Sequence, residues 1–334
     1  MSPDGPLRNL CMTIRTTAQR QRELFHAPLD NNQTVYKVSV SKHVTKAVIP
    51  AAGLGLRLQP LTTYLPKELL PIAGKPMIQY TLEMYMASGI SEFCIIISPR
   101  KFMLRDFIKG NWKPPALPFH WDAGLYRKLE ACRTVFFTQD EPRGVADAVA
   151  LARDFVGDEP FACIMPDCLL FSDKPLAQQL LEGCERHQAH VIGSIYIRGN
   201  DVRRFGNVGV LETDRLCDRC FSITSLSDKK QKPLSLRAGG VIHKGFGGGI
   251  YLPEYFHFVE AIRSHVKGEL DDVPIHHLLI KEGKLLGTVL EGAAFDAGHP
   301  QGFRAAVHYV GRSPFTTSDV STKGSLNRTP RGSL

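Results

Sequence analysis

Continuous apolar runs alternate with segments of helical spacing through the middle of this chain. Helical spacing predicts a helix over Met77–Ser88 with Gly89 as its stop, a second helix from Val145, and a third over Leu176–His187. The apolar runs predict strands at Lys46–Pro50, Phe93–Ser98, Thr134–Phe137, Phe161–Met165 and Val191–Ile197. Strands that are apolar throughout are buried on both faces, so the alternation predicts an α/β fold with a mostly parallel sheet covered by helices on each side.

The two ends of the chain differ in composition from the middle. Residues 1–44 show no sustained period and form an extension whose order the sequence leaves open, whereas residues 312–334 are rich in Ser, Thr, Gly and Arg and are predicted to be a disordered tail. One domain is predicted over residues 45–311. The formal net charge of +8 lies in the ends, with +4 in residues 1–46 and +3 in residues 312–334. Because the middle is nearly neutral, we do not expect the domain to bind nucleic acid.

The overall composition is that of a globular protein. Of the 334 residues, 43% are apolar and 22% are charged, which excludes a fibrous or wholly disordered chain. No apolar stretch approaches the ~20 residues of a transmembrane helix, and Met1–Leu29 lacks the apolar core of a secretory signal. Eight cysteines are too few for a disulfide scaffold, and Cys94 and Cys163 lie within strand-like runs. We therefore expect buried free thiols and a reducing cytoplasm.

A small-residue loop with two glycines follows the first predicted strand. Ligands of parallel sheets lie beyond the carboxyl ends of the strands, and backbone N–H groups beside glycine can approach an anion closely. The loop is therefore a candidate phosphate site, although a glycine-rich turn with a surface arginine would have the same sequence. Its spacing matches neither the Walker loop nor the dinucleotide fingerprint. The small residues and cations of this region are Ala52, Gly53, Gly55, Arg57 and Lys67.

A longer segment around this loop carries a family resemblance. Residues 46–80 read K-A-V-I-P-A-A-G-L-G-L-R-L-Q-P-L-T-T-Y-L-P-K-E-L-L-P-I-A-G-K-P-M-I-Q-Y and resemble the start of the sugar-1-phosphate nucleotidyltransferases, most closely the bacterial UTP–glucose-1-phosphate uridylyltransferases. The resemblance covers residues 46–310. It implies a doubly wound, mixed but mostly parallel, Rossmann-like sheet with an inserted sugar-binding subdomain after Asp167. One departure is Leu56, which stands where the family usually has a threonine hydroxyl.

The resemblance implies a role for each residue of the loop region. Backbone groups at Ala52, Gly53 and Gly55 would bind the nucleotide phosphates. Arg57 and Lys67 would act in catalysis by balancing the charge of the triphosphate and of the departing pyrophosphate.

A base-recognition segment follows the third predicted strand. In the family, a glutamine followed five residues later by a glycine reads the pyrimidine, and Gln139 and Gly144 take these positions. An amide both donates and accepts hydrogen bonds, so it matches the imide edge of uracil or thymine. An exposed loop amide is the alternative interpretation of Gln139. For Asp147, a ligand role and a simple interaction with the helix dipole both stay open.

Two acidic residues from distant parts of the chain are candidate metal ligands. Asp167 follows the strand at Phe161–Met165, and Asp296 lies in a Phe-Asp-Ala-Gly segment that resembles the family's late D-x-G motif. Two hard oxygen ligands could hold Mg²⁺ between the nucleotide and sugar phosphates. A helix cap or a plain turn is the alternative for each.

The sugar-phosphate half of the site is less well matched. Gly206 lies in a segment that resembles the family's glycine contact with sugar hydroxyls, and Asp228 and Lys229 align with the acid and lysine of its E-K-P motif. Lys230 replaces the proline, so a shifted register at Lys232-Pro233 and a solvated charge run both stay open. We assign no firm role to residues 269–272, and we interpret His276-His277 as a structural pair.

The implied reaction joins a nucleoside triphosphate, with UTP favoured, to a sugar 1-phosphate, with glucose 1-phosphate favoured. A phosphate oxygen of the sugar attacks the α-phosphorus in line, and the products are a nucleotide sugar and pyrophosphate. A dTTP-using thymidylyltransferase is one alternative. A catalytically weak nucleotide-sugar-binding regulator is another, because Leu56 and the altered E-K-P segment depart from the family. A homo-oligomer stays open, and no membrane partner is expected.

Overall fold

A computed structural model describes residues 44–111, 123–205, 209–216, 219–228 and 240–312 of this chain. The predicted N-terminal extension and C-terminal tail, and the candidate residues Gly206 and Lys229, lie outside the described residues. None of the described helices is long and apolar enough to span a membrane.

The described part of the first half of the domain contains the predicted strands and the predicted helices that begin at Met77 and Val145, together with a small hairpin and three helices that the pattern does not reveal. The strands are β1 (Lys46–Pro50), β2 (Pro71–Ile72), β3 (Lys75–Pro76), β4 (Glu92–Ile97), β5 (Arg133–Thr138) and β6 (Phe161–Ile164). The helices are α1 (Met77–Ala87), α2 (Phe102–Ile108), α3 (Ala123–Glu130), α4 (Val145–Ala150) and α5 (Arg153–Val156). Short 3₁₀ turns at Leu56–Leu58, Leu61–Thr63 and Lys67–Leu69 carry the chain from β1 to β2.

The second half holds several strands that the apolar pattern does not reveal. The strands are β7 (Cys168–Phe171), β8 (His190–Arg198), β9 (Leu211–Arg215), β10 (Cys220–Leu226), β11 (Val241–Tyr251), β12 (Leu285–Val289) and β13 (Ala293–Asp296). The helices are α6 (Leu176–His187), α7 (Tyr255–Arg263), α8 (Asp272–Lys281) and α9 (Pro300–Arg312).

The central sheet has nine strands in the described part of the chain, in the order β5-β4-β1-β6-β11-β8-β12-β10-β9. Seven of them point the same way, and β10 and β11 run against the others. The prediction of a mixed, mostly parallel sheet is confirmed. The first strand, β1, lies between β4 and β6 and is parallel to both, so the loop that follows it opens at the edge of the sheet where all three strands end.

Two hydrophobic clusters cover the two faces of this sheet. In β1, Ala47 and Ile49 belong to one cluster and Val48 to the other, and all three are fully buried. This double burial explains why these three successive residues are apolar, rather than every second residue. The first cluster includes residues of α1 and α6, and the second includes residues of α4, α7 and α8. The doubly wound arrangement is therefore confirmed.

The inserted part contains an antiparallel pair that brings two distant parts of the chain together. Strand β7 directly follows Asp167 and pairs with β13, with Cys168 opposite Asp296. Apolar residues of β7, β13 and α9 form a third hydrophobic cluster behind the pair. This register places Asp296 one residue away from the level of Asp167.

The buried cysteines behave as the sequence predicts. Cys94 and Cys163 are free and buried in β4 and β6. Burial raises the pKa of the Cys94 thiol to about 12, which keeps it protonated at neutral pH.

Candidate active site

The glycine loop leaves β1 at its carboxyl end and is fixed there by the neighbouring strand. The N–H of Ala51 donates to the carbonyl of Ile96 in β4 at 2.8 Å, and Ala52 is buried. Gly53 is exposed, and a side-chain carbon added to it would meet nothing within 4 Å. The fold itself therefore leaves room beside Gly53, where a phosphate could approach the backbone closely.

Gly55 differs from Gly53 because the fold requires it. Its φ angle is +69°, and an added carbon would lie 3.2 Å from Thr62 and 3.3 Å from Lys67. The Thr62 hydroxyl also donates to the Gly55 carbonyl at 2.9 Å. Leu56, the residue that replaces the family's threonine, is 62% exposed.

The cations and the first acidic residue meet beside this loop. Lys67 Nζ donates to Asp167 Oδ2 at 2.6 Å. Arg57 Nη2 lies 3.1 Å from the place that a side-chain carbon of Gly298 would take, and Asp167 Oδ2 lies 2.2 Å from the same place. The structure therefore brings Arg57 and Lys67 together with Asp167, which lies a hundred or more positions further along the chain.

The electrostatics of this cluster favour the charged forms. Burial acts to raise the pKa of Asp167, but Lys67 and then Arg57 outweigh it and hold the pKa below its ordinary value. Burial likewise opposes the charge of Lys67, yet Asp167 and Glu68 raise the pKa of that ammonium above its ordinary value. The group is thus charged before any substrate binds.

Sequence reasoning missed a second ion pair that supports the loop from behind. Lys101 Nζ donates to Glu68 Oε1 at 2.9 Å, to Glu68 Oε2 at 2.7 Å and to the Ala51 carbonyl at 2.6 Å. Both side chains are buried, with exposed fractions of 7% for Lys101 and 0% for Glu68. The pair joins the segment of Lys67 to the start of the glycine loop. A carboxylate directly before an apolar pair, Glu68 before Leu69 and Leu70, was the available signal.

The two predicted metal ligands lie on either side of Gly298. The carbonyl of Asp167 accepts the N–H of Ala297 at 2.8 Å, and Asp296 Oδ1 accepts the N–H of Gly298 at 3.1 Å. Asp167 Oδ2 lies 2.2 Å from the place of an added side-chain carbon on Gly298, and Asp296 Oδ1 lies 3.1 Å from the nitrogen of the same residue. Because one residue of standard geometry joins these two points, Asp167 Oδ2 and Asp296 Oδ1 lie within about 8 Å of each other. The convergence that the sequence predicts is therefore present.

The donor chemistry of these two carboxylates suits Mg²⁺ better than a metal ion whose ligands all come from the protein. The described residues contain no group of three or more His, Cys, Asp or Glu side chains that could hold a metal ion. Mg²⁺ is commonly bound through one or two carboxylates together with substrate phosphates, and a site beside a candidate phosphate loop suits that chemistry.

Gln139 is held inside its own loop at the end of β5. It is 6% exposed, so the alternative of an exposed loop amide is wrong. Its Nε2 donates to the Gly144 carbonyl at 3.1 Å and to Asp147 Oδ2 at 2.8 Å, which uses both amide hydrogens and leaves Oε1 as the acceptor. Asp147 thus orients Gln139. Gly144 has a φ of +102°, and an added carbon would lie 2.4 Å from the Leu270 carbonyl oxygen.

A cavity of about 250 Å³ continues from Asp296 toward β10 and β11. Its polar lining includes Lys244 from β11, Asp272 from the start of α8, His276 and Asp296. Lys244 is only 8% exposed. Burial lowers the pKa of Lys244, and Asp296 is the strongest of the charges that oppose this shift.

Asp228, the one described residue among those predicted for the sugar-phosphate half, lies elsewhere. The Asp228 side chain is 65% exposed and lies 3.7 Å from His277 Nε2, and it is not one of the described residues that line the cavity. The interpretation of His276 and His277 as a structural pair agrees with their contacts. His276 Nε2 is 2.8 Å from the Tyr251 hydroxyl, and His277 Nε2 is 2.9 Å from the Leu226 carbonyl.

A doubly wound fold with this edge-of-sheet cluster is the architecture of a nucleotide-handling transferase. The Nucleotidyl transferase family model matches residues 46–310, so the chain belongs to that family. The resemblance, the fold class and the extent that the sequence predicts are confirmed.

Named relatives and solved structures agree with this assignment. The UTP–glucose-1-phosphate uridylyltransferase of Bacillus subtilis (strain 168) is 29% identical over 269 residues, which cover 78% of this chain and 89% of that protein. The enzyme of the same name from Streptococcus pyogenes is 29% identical over 289 residues, covering 83% and 92%. The fold is similar to a UDP-glucose pyrophosphorylase crystallised with UDP-glucose, with a TM-score of 0.68 at 23% identity over 80% of this chain and 98% of that one.

Proposed function

We propose that this protein transfers uridylate from UTP to glucose 1-phosphate and releases pyrophosphate. The observation that carries the proposal is the convergence of Arg57, Lys67 and Asp167 beside an open glycine loop. The Oδ1 atom of Asp296 lies within about 8 Å of Asp167 Oδ2 in the same region. The relatives that match most of this chain are named for that reaction. We also place the protein in a reducing cytoplasm, because the cysteines at the described positions 94, 132, 163, 168, 184 and 220 are all free.

The triphosphate would lie along the glycine loop. Backbone N–H groups near Ala52, Gly53 and Gly55 would donate to phosphate oxygens, and the open space beside Gly53 allows a close approach. Arg57 and Lys67 would balance the negative charge that grows on the departing pyrophosphate. Positive groups that are already in place when this charge develops are the main source of rate enhancement in phosphoryl chemistry.

Asp167 and Asp296 would hold a Mg²⁺ ion, which supplies Lewis-acid stabilisation of the phosphates when it is bound. Asp167 would share its carboxylate between the ion and Lys67. Lys67 would face the triphosphate from its place beside Asp167.

The base would be read by Gln139. Its Oε1 is the oriented acceptor for the imide N–H of uracil, because Gly144 and Asp147 receive both amide hydrogens. Cytosine has no imide N–H, so its ring nitrogen, a hydrogen-bond acceptor, would face the acceptor Oε1 of Gln139. The same contact accepts thymine, and only room for a 5-methyl group separates the two.

The sugar 1-phosphate would enter the cavity between Asp296 and β11. On the strength of the family resemblance, Gly206 would contact the sugar hydroxyls and Lys229 the sugar phosphate, while Asp228 aligns with the acid that contacts the hydroxyls but is not among the described residues that line the cavity. The cavity volume of about 250 Å³ suits a ligand of the size of one hexose.

A pyrophosphate-release assay tests the proposal. Purified protein with Mg²⁺ is given UTP, dTTP or CTP together with the 1-phosphates of glucose, galactose or N-acetylglucosamine. We expect the highest kcat/KM with UTP and glucose 1-phosphate, no release without a sugar phosphate, and loss of activity on chelation that Mg²⁺ restores. Preference for dTTP would identify a thymidylyltransferase. Binding of UTP and UDP-glucose without any release would identify the regulator and overturn the proposal.

A further inference from the structure

Lys244 is a buried cation in a strand position that packing alone would fill with an apolar residue. Side chains of a strand alternate between faces, so Lys244 shares its face with Ile242 and Phe246, two residues away on either side. These neighbours are 7% and 6% exposed, and Lys244 itself is 8% exposed. Burying an ammonium group is unfavourable unless a negative partner compensates it. The charge of Lys244 therefore requires a negative partner at this place.

The ammonium group reaches the wall of the cavity. Strand β11 is bridged to Val210 at the level of Lys244, and the N–H of Gly245 donates to the Gly209 carbonyl at 2.6 Å. A side-chain carbon added to Gly209 would lie 3.4 Å from Lys244 Nζ. Gly209 therefore has its backbone, and no side chain, beside the ammonium group, and both residues line the cavity.

The charges around this cavity otherwise repel an anion. Asp296 and Asp272 line it and are the two carboxylates that act on Lys244. A sugar 1-phosphate is a dianion, so these two carboxylates would repel it. Among the described residues that line the cavity, Lys244 is the single lysine or arginine. The cations of the glycine loop, Arg57 and Lys67, are instead held on the side of Asp167.

We propose that Lys244 binds the phosphate group of the sugar 1-phosphate beside Asp296 and so holds the oxygen that attacks. The inference rests on the proposed function and adds a residue to it, because the sequence assigned this cation to Lys229. Two sets of cations then serve two substrates: Arg57 and Lys67 for the triphosphate, and Lys244 for the sugar phosphate.

Steady-state kinetics of Lys244→Met test this inference. Methionine keeps the length and apolar stem of lysine and removes the charge, and Lys244→Arg restores a cation. We expect kcat/KM for glucose 1-phosphate to fall about 10- to 100-fold in Lys244→Met, as for loss of a charged hydrogen bond, with partial recovery in Lys244→Arg. The KM for UTP should stay within about twofold of the wild-type value, because the substitution removes no contact with UTP. Lys174→Met, which removes a half-exposed lysine paired with Glu182, is the matched control and should behave as wild type.

Calorimetric binding of glucose 1-phosphate, with a non-hydrolysable α,β-methylene analogue of UTP present, gives a readout that does not need turnover. Affinity should fall in Lys244→Met and not in Lys174→Met. An unchanged KM and affinity for glucose 1-phosphate, or equal losses for both substrates without recovery in Lys244→Arg, would overturn the inference. If Lys244→Met does not fold, Lys244→Gln is measured in the same way. If the wild type binds glucose 1-phosphate through Lys244 but never releases pyrophosphate, the proposed function fails while the phosphate site stands.

Discussion

Lys67 donates a hydrogen bond to Asp167 over 2.6 Å, although the two residues are one hundred positions apart in the chain. This contact ties the segment behind the glycine loop to the end of β6. It places a cation for the triphosphate and a ligand for the metal in one group before substrate arrives. Charges that are oriented in advance need no reorganisation during the reaction, which is the physical basis of their effect on rate.

Substitution of either partner of this contact should lower activity strongly. We expect Lys67→Met and Asp167→Asn each to reduce kcat/KM by about 10²–10³, the effect of removing one oriented charge-stabilising group. Pyrophosphate release measured against both substrates checks this. Lys284→Met, at a 44% exposed lysine paired with Glu254 and Glu282, serves as the control and should keep full activity. Near-parental activity of both variants would contradict the mechanism.

The two glycines of the loop should respond differently to alanine. Gly53→Ala places its methyl in open space, so we expect a free energy of unfolding within about 0.5 kcal/mol of the wild type. The same methyl would stand between the backbone and a phosphate, and KM for UTP should rise at least about tenfold. The free energy of unfolding of Gly55→Ala should instead fall by about 1–2 kcal/mol, because the φ of +69° at this position strains alanine.

Urea unfolding and UTP kinetics of these two variants separate the roles. A Gly53→Ala protein that is as active as wild type would show that the phosphates do not approach Gly53. A Gly55→Ala protein of unchanged stability would show that the left-handed turn is not needed.

The buried pair of Glu68 and Lys101 should be a large stability determinant. Lys101→Met leaves the Glu68 carboxylate buried without its partner, which typically costs about 3–5 kcal/mol. The double variant Glu68→Gln/Lys101→Met removes both charges, and we expect it to recover part of that loss. Arg133→Met is the control, because Arg133 is 62% exposed in its pair with Glu92 and such surface pairs contribute at most about 1 kcal/mol. Equal effects of Lys101→Met and Arg133→Met in urea unfolding would refute the argument.

Gln139→Glu should impair UTP binding through Asp147. A carboxylate at this position cannot donate to Gly144 or Asp147, and it places a like charge where Nε2 now lies 2.8 Å from Asp147 Oδ2. We expect KM for UTP to rise about 10- to 100-fold, with a smaller change in KM for glucose 1-phosphate. Adding Asp147→Asn removes the repulsion and supplies a donor, so the double variant should bind UTP better than Gln139→Glu alone. If Asp147→Asn gives no recovery, Asp147 does not orient Gln139.

Much of the first half of the fold follows from the sequence because its signals are local. A strand segment buried on both faces has to be apolar at successive positions, as residues 47–49 of β1 and 93–97 of β4 are. The helix over Leu176–His187 has the predicted bounds because its apolar positions recur with helical period. The glycine loop is likewise predicted because a phosphate site needs small residues directly after a strand, with Arg57 and Lys67 as nearby cations. Asp167 is predicted because an acid at the end of an apolar strand needs a partner.

The tertiary structure alone decided which of these groups meet. The pairing of β7 with β13, which sets Asp296 beside Asp167, joins residues more than a hundred positions apart, and no local pattern encodes such a register. The same holds for Glu68 with Lys101, and for Lys244, whose strand neighbours are apolar. A sequence shows that a charged residue lies next to apolar ones and will need a partner if it is buried. Only the folded chain shows which residue compensates that charge, because the partner is fixed by packing between distant elements.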